Sequence, residues 1–343
     1  MRTGESIMGI EIVMLMVSLA LILLASIIFT NGIEQLGTHF NLHQGAVGSI
    51  LAAVGTALPE TIIPIIAILV YHNPESHQVG IGAIAGAPFM LATLAFFATG
   101  AAVLAFAALG KRSRAMHIDP AIVIRDLSFF VCLYGAAILA TFARGWPFVK
   151  GGMAIVMLLS YGIYVKRTLA SNCQETDNLE PLFACRFLKL PLNGPAIATQ
   201  VAAALVLMIW SAHLFVAYIS AVSMAAGVSA MILSIIITPI ATELPEKCNS
   251  VLWIGKRKDI LAVGNVTGAM VFQSSFPVVF GILFTEWDLR GIPMVSALMA
   301  LASSLFVLTW VKTKKSLNPY ILMIGGVLYA AFLLYLFLLA PSH

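Results

Sequence analysis

The chain has 343 residues, 60% of them apolar and only 10% charged, with a net charge of +4 and a mean hydropathy of +0.99. A soluble domain carries about 25% charged residues, so a water-facing surface of ordinary extent is excluded. Repeated apolar runs of about 20 residues, each able to cross roughly 30 Å of hydrocarbon, point to an all-α polytopic membrane protein.

In chain order, apolar spans are expected near residues 8–33, 45–70, 79–109, 124–143, 148–166, 197–221, 228–254, 261–285, 293–311 and 319–340. The first, "IEIVMLMVSLALILLASIIF", is too long for a signal-peptide core and follows only Arg2, so it reads as a retained span. About ten spans would put both termini on one side. Basic residues cluster after spans three (Lys111, Arg112, Arg114), five (Lys166, Arg167, Arg186, Lys189), seven (Lys256, Arg257, Lys258) and nine (Lys312, Lys314, Lys315). The other side holds Arg2, Arg144, Lys150 and Arg290. The positive-inside rule then places the termini outside a plasma or inner membrane and the loop after span five in the cytoplasm.

That loop is the only long polar stretch. It divides the chain into a first five-helix repeat at 1–168, a connecting loop at 169–192 and a second five-helix repeat at 193–343. An odd number of spans per half makes the halves insert with opposite orientation, the plan of many secondary transporters. The halves share motifs. "GTALPE" (Gly55–Glu60) lies in span two and "ATELPE" (Ala241–Glu246) in span seven; "GAIAGA" (Gly82–Ala87) and "GNVTGA" (Gly264–Ala269) are expected to open spans three and eight.

A carboxylate at the centre of a membrane helix costs about 2.5–3.5 kcal/mol on insertion scales, so it must face a protein cavity and meet a cation, a proton or a basic partner. Pro59 and Pro245 each remove a backbone donor, and the helices are expected to loosen around Ala53–Gly55 and Pro239–Ala241. Freed carbonyls, the hydroxyls of Thr56 and Thr242, and the carboxylates of Glu60 and Glu246 are hard oxygen ligands suited to Ca²⁺ or a dehydrated Na⁺.

These paired motifs, with the glycine-rich stretches that follow them, resemble the alpha repeats of the calcium/cation antiporter superfamily, the sodium/calcium exchanger type. "IDPAIVIRDLSFF" before span four and "RGWP" after it resemble prokaryotic members. The resemblance covers nearly the whole chain. It implies ten helices in two inverted repeats, a gate of spans one and six sliding over the rest, and exchange of Ca²⁺ for Na⁺ or H⁺ by alternating access.

The family motif reads Gly-Thr-Ser-Leu-Pro-Glu, and this chain departs from it. The serine position is Ala57 in the first copy and Glu243 in the second, where Ala241 also replaces glycine. The amide or carboxylate that the family commonly carries one turn past the glycine motif falls at Leu91 and Gln273. One hydroxyl and one amide are lost and one carboxylate is gained, which weakens flanking Na⁺ sites. Three clustered carboxylates cannot all carry charge without compensating cations, so a proton could replace Na⁺ as the exchanged ion.

Thr56, Glu60, Thr242, Glu243, Glu246 and Gln273 are therefore the candidate cation ligands, with Glu60 and Glu246 central. His213, expected near the middle of span six, is a candidate proton acceptor or gate residue; the plainer reading is a neutral histidine hydrogen-bonded between helices. Lys247, beside Glu246, is expected to snorkel toward another face, because adjacent helical residues do not face each other.

No nucleophile constellation or phosphate loop suggests an enzyme or a cofactor beyond the transported cations. Cys132, Cys173, Cys185 and Cys248 show no metal spacing and read as reduced thiols. Inorganic cations and the lipid bilayer are the expected partners, nucleic acid is not, and no partner protein is indicated. The rival readings are an antiporter for a different cation, a cation channel, or a non-transporting membrane scaffold that keeps the fold.

Overall fold

The computed structural model describes residues 2–39, 47–71, 73–143, 145–170, 181–188 and 191–339. Helix is the only regular structure among them, as hydrocarbon demands of a backbone that must satisfy itself. In chain order the helices are α1 (Arg2–His39), α2 (Val47–Leu69), α3 (Pro74–Met90), α4 (Phe96–Ala108), α5 (Pro120–Ala140), α6 (Pro147–Ala170) and the short α7 (Phe183–Leu188). Then follow α8 (Gly194–Ala226), α9 (Ala230–Thr242), α10 (Leu244–Gly255), α11 (Asp259–Gln273), α12 (Phe276–Phe284), α13 (Ile292–Lys314) and α14 (Pro319–Leu339).

Among the described residues, eight segments are long and apolar enough to cross a membrane: Met8–Ile33, Pro74–Ala108, Pro120–Ala143, Pro147–Thr168, Gly194–Ala226, Asp259–Phe284, Ile292–Lys314 and Pro319–Leu338. Two further apolar helices, Leu58–Leu69 and Ala230–Ile240, are shorter. They fall in the spans that carry the two Pro-Glu motifs.

Helix starts follow local chemistry. Asn73, Asp119 and Asn193 cap α3, α5 and α8 by accepting the backbone N–H of Ser76, Ala121 and Ala196 at 2.7–2.8 Å, each with a proline in the first turn. Gly227, at φ 65°, ends α8 in the left-handed conformation that glycine adopts without strain. The glycine-rich motifs sit inside helices rather than at their starts, since α3 begins at Pro74 and α11 at Asp259. Gly82 and Gly86 let α3 press against α9: a Cβ there would lie 2.6 Å from the Met231 carbonyl oxygen and 2.5 Å from that of Ile235.

The buried apolar side chains form two large clusters. One joins α1, α2, α8, the start of α3 and Ala230 of α9, with Ile22, Ile63, Phe215 and Ile219 at its centre. The other joins α4–α6, α11–α14 and the far half of α3 around Phe89, Leu127, Tyr134 and Trp287. Outward-facing Val13, Phe148, Leu159, Val206 and Phe337 are exposed, as a lipid-facing surface requires. α1 runs along α8, and the two are stitched together by amides: Gln200 Nε2 donates to Asn31 Oδ1 and to the Ile28 carbonyl, each at 3.0 Å. The N-terminal amides of α7 complete the stitch, Phe183 N–H bonding Asn31 Oδ1 at 3.0 Å and Ala184 N–H bonding Gln200 Oε1 at 2.8 Å.

A second polar clamp ties the α4–α5 linker to the α10–α11 turn. Buried Arg112 makes a bidentate pair with Asp259 at 2.6 and 2.7 Å and donates to the Ile254 carbonyl, while His117 N–H bonds Asp259 Oδ2 at 2.8 Å. The fork of a guanidinium matches a carboxylate in this way, and each charge is compensated where water is scarce.

Candidate cation site

Three of the helices expected to build the site are irregular, at related places. Between α3 and α4 the chain makes a π-helical turn, Leu91–Ala95, and Ser303 of α13 donates its hydroxyl to the Ala92 carbonyl there. Between α11 and α12 the helix breaks after Gln273, with Ser275 at φ −112° and ψ −86°. Wider turns and breaks of this kind leave carbonyls for other partners, and they gather at functional sites. Leu91 and Gln273, the two positions singled out past the glycine motifs, mark these irregularities.

The two Pro-Glu segments differ. α2 runs unbroken from Val47 to Leu69 through Pro59 and Pro64, so the expected loosening at Ala53–Gly55 is not found; the helix tolerates a proline whose missing N–H affects only the Gly55 carbonyl. The second segment does break, two residues beyond the expected Pro239–Ala241. α9 ends at Thr242, and Glu243, at φ −90° and ψ 3°, separates it from α10. Pro245 falls in the first turn of α10, where its missing N–H costs nothing, so the chain restarts as a new helix there.

Glu60 lies on α2 and is 4% exposed, and α2 packs against α3, α9, α11 and α12. Glu243 has a fully buried side chain, and Lys247, one turn on, places Nζ 3.0 Å from Glu243 Oε2 and 3.4 Å from the Pro239 carbonyl oxygen. Lys247 therefore does not snorkel away. Among the described side chains its partner is the carboxylate four residues earlier, which shares its face of the helix. Gln273, at the end of α11, faces the same carboxylate. Neither Glu243 oxygen makes a well-aligned hydrogen bond among the described residues, and Gln273 Oε1 is buried without a donor there. Thr242 is buried beside them and donates its hydroxyl to the Thr238 carbonyl at 3.1 Å, which leaves its oxygen able to accept.

The structure thus brings Thr242, Glu243, Lys247 and Gln273 to one buried break. The side chains of Thr56 and Glu246 lie outside the described ones. His213 is half-buried on α8, its ring 5.8 Å from that of Tyr71 in the turn after α2, and Tyr71 donates its hydroxyl to the His213 carbonyl at 2.9 Å. It is level with the end of α2, not with the break.

A further buried carboxylate, not anticipated in the sequence reading, lies on α5. Asp126 accepts from the Thr267 hydroxyl of α11 at 2.8 Å and pairs with Arg125 at 3.0 Å, whose guanidinium stacks over Tyr164. Its signal was present in "IRDLSFF", an Arg-Asp pair entering an apolar span.

The sequence profile of the family described as sodium/calcium exchanger protein matches residues 10–169 and 197–340, nearly all of the chain. The chain belongs to the sodium/calcium exchanger family. A membrane protein of Methanocaldococcus jannaschii, MJ0091, is 23% identical over 290 residues, spanning 81% of this chain and 83% of its own. Among solved structures, the H⁺/Ca²⁺ exchanger CAX superposes with a TM-score of 0.70 at 16% identity, covering 94% of this chain and 82% of that one. The sodium-calcium exchanger NCX_Mj gives 0.57 at 19% identity, covering 94% and 97%. YfkE gives 0.66 at 14%, covering 98% of each chain. The exchanger-family protein described here therefore shares their helical membrane fold.

Proposed function

We propose that this exchanger-family protein is a secondary-active cation antiporter that exchanges Ca²⁺ for Na⁺ or H⁺ by alternating access. The observation that carries the reading is a pair of buried carboxylates, Glu60 on α2 and Glu243 at the α9–α10 break, in the two motif-bearing spans of a multi-pass exchanger-family protein. Carboxylates kept at that depth call for cations. Lys247 compensates Glu243, and Glu60 and Glu246 are the carboxylates assigned to the cargo. Two negative charges match one divalent ion or two monovalent ones, which is the balance an exchange cycle needs. Thr56, Thr242 and Gln273 add neutral oxygens.

Two inverted five-helix repeats of about ten spans, with termini outside the plasma membrane and the central loop in the cytoplasm, are part of the same proposal. The separate profile matches on either side of residues 170–196 support it. So does the packing, in which α5 meets α11 much as α13 meets α3. The coupling ion is left between Na⁺ and H⁺ because solved exchangers named for each share the fold.

The test is uptake of radiolabelled Ca²⁺ into proteoliposomes under an outward Na⁺ gradient and then an outward H⁺ gradient. Uptake under one gradient, abolished by Glu60→Gln and by Glu246→Gln, is the expected result and names the counter-ion. Gradient-independent, non-saturating flux would make the protein a channel. No flux and no cation binding would leave a scaffold.

A further inference from the structure

The antiport reading gives Lys247 no task beyond charge balance, yet its surroundings are those of a bound cation. The ammonium sits against a carboxylate oxygen at 3.0 Å and a backbone carbonyl oxygen at 3.4 Å. That carbonyl, of Pro239, already accepts the Glu243 N–H and is shared because α9 ends there. Facing the same carboxylate is Gln273, whose buried Oε1 has no donor among the described residues. A carboxylate and a main-chain carbonyl around one positive charge are oxygen donors of the kind an alkali cation takes. Here a four-carbon stem supplies that charge from within the chain.

We propose that Lys247 is a tethered cation occupying a monovalent-cation subsite formed by Glu243 and the Pro239 carbonyl, and that removing its charge opens the subsite to Na⁺ or K⁺. One carboxylate compensates one positive charge; a divalent ion would leave an excess charge buried, which the interior opposes. The carrier therefore runs with one fewer bound monovalent ion than the same site would take without the lysine. The inference rests on the antiport reading only for the site's role in transport. The occupancy of the subsite stands or falls separately.

The test uses the purified full chain in detergent, with Lys247→Met, Lys247→Arg and the neutral pair Glu243→Gln/Lys247→Met. Equilibrium binding of radiolabelled Na⁺ and melting temperature in NaCl, KCl or N-methylglucamine chloride of equal ionic strength are the readouts. Lys247→Met is expected to bind one more Na⁺ per chain than the parent. It should also gain about 2–4 °C in Na⁺ or K⁺ over N-methylglucamine near tenfold saturation. Lys247→Arg should match the parent, and the neutral pair should gain nothing. Equal Na⁺ binding by parent and Lys247→Met overturns the proposal, as does an equal gain in the neutral pair. If Lys247→Met fails to fold in every salt while the neutral pair folds, no free cation replaces the lysine and the proposal is likewise overturned. A gain in Lys247→Met with no Ca²⁺ uptake by the parent would sink the antiport reading and leave the subsite standing.

Discussion

At the scale of single residues, the site combines groups that carry charge with groups that carry only lone pairs, and the two kinds respond differently to removal. Glu60 is buried on α2. Glu60→Gln keeps its shape and removes its charge, so Ca²⁺ affinity measured by titration calorimetry should fall about 10–100-fold, the size of a lost charged contact of about 1.5–3 kcal/mol. An unchanged affinity would exclude Glu60 from the site. Gln273 offers a sharper distinction, because its Oε1 is buried with no donor among the described residues. Such an atom is a burden of about 1–3 kcal/mol when no cation is present. Gln273→Leu is therefore expected to raise the melting temperature of the cation-free protein while weakening cation binding about 5–10-fold. A stability loss together with unchanged binding would make Gln273 a packing residue.

At the scale of helices, the spans could be read from hydropathy and punctuation, because lipid leaves the backbone few alternatives. The caps at Asn73, Asp119 and Asn193 are visible in "NPES", "DPAI" and "NGPA". Where α2 and α9 would yield was not legible. A proline inside a membrane helix can be absorbed or can end the helix, and neighbouring helices decide which. α2 absorbs Pro59, whereas α9 ends three residues before Pro245 and the chain restarts with that proline in the first turn of α10. The partner of Lys247 was missed for a related reason: the sequence places it beside Glu246, but one helical turn places it on the face of Glu243. The glycine motif likewise serves a contact that pattern alone does not reveal. Gly86 lets α3 approach the Ile235 carbonyl, and Gly86→Val would force the two backbones apart. Overpacking costs about 1–3 kcal/mol, so a lower melting temperature is expected, with reduced Ca²⁺ uptake because α9 carries Thr242 into the site. The Arg112–Asp259 clamp makes a separate prediction. Arg112→Ala leaves a buried carboxylate uncompensated, for which about 3–5 kcal/mol of destabilisation is expected. Arg112→Ala/Asp259→Ala should recover part of that loss in the same thermal assay.

At the scale of the whole molecule, hydrogen bonds single out one pair of helices within an apolar cluster. α1 and α8 share one cluster with α2, and the amides of Asn31 and Gln200, together with the start of α7, bind α1 to α8. Buried polar networks of this kind hold one geometry, because each group lost from the set leaves another unsatisfied. Alternating access by a sliding pair then requires α1 and α8 to move as one body, with the contact between α8 and the end of α2 as the surface that shifts. Gly32 faces Val201 across the first interface, where an added Cβ would lie 2.7 Å from a Val201 methyl. Tyr71 and His213 meet across the second. With the four native cysteines replaced by serine, Gly32→Cys/Val201→Cys should cross-link under mild oxidation and leave Ca²⁺ uptake largely intact. Tyr71→Cys/His213→Cys should cross-link and arrest uptake, with recovery on reduction. The reverse pattern would mean that α1 and α8 slide past each other and that α2 travels with α8, and the pair bound by the Asn31 and Gln200 amides would then not be the body that moves.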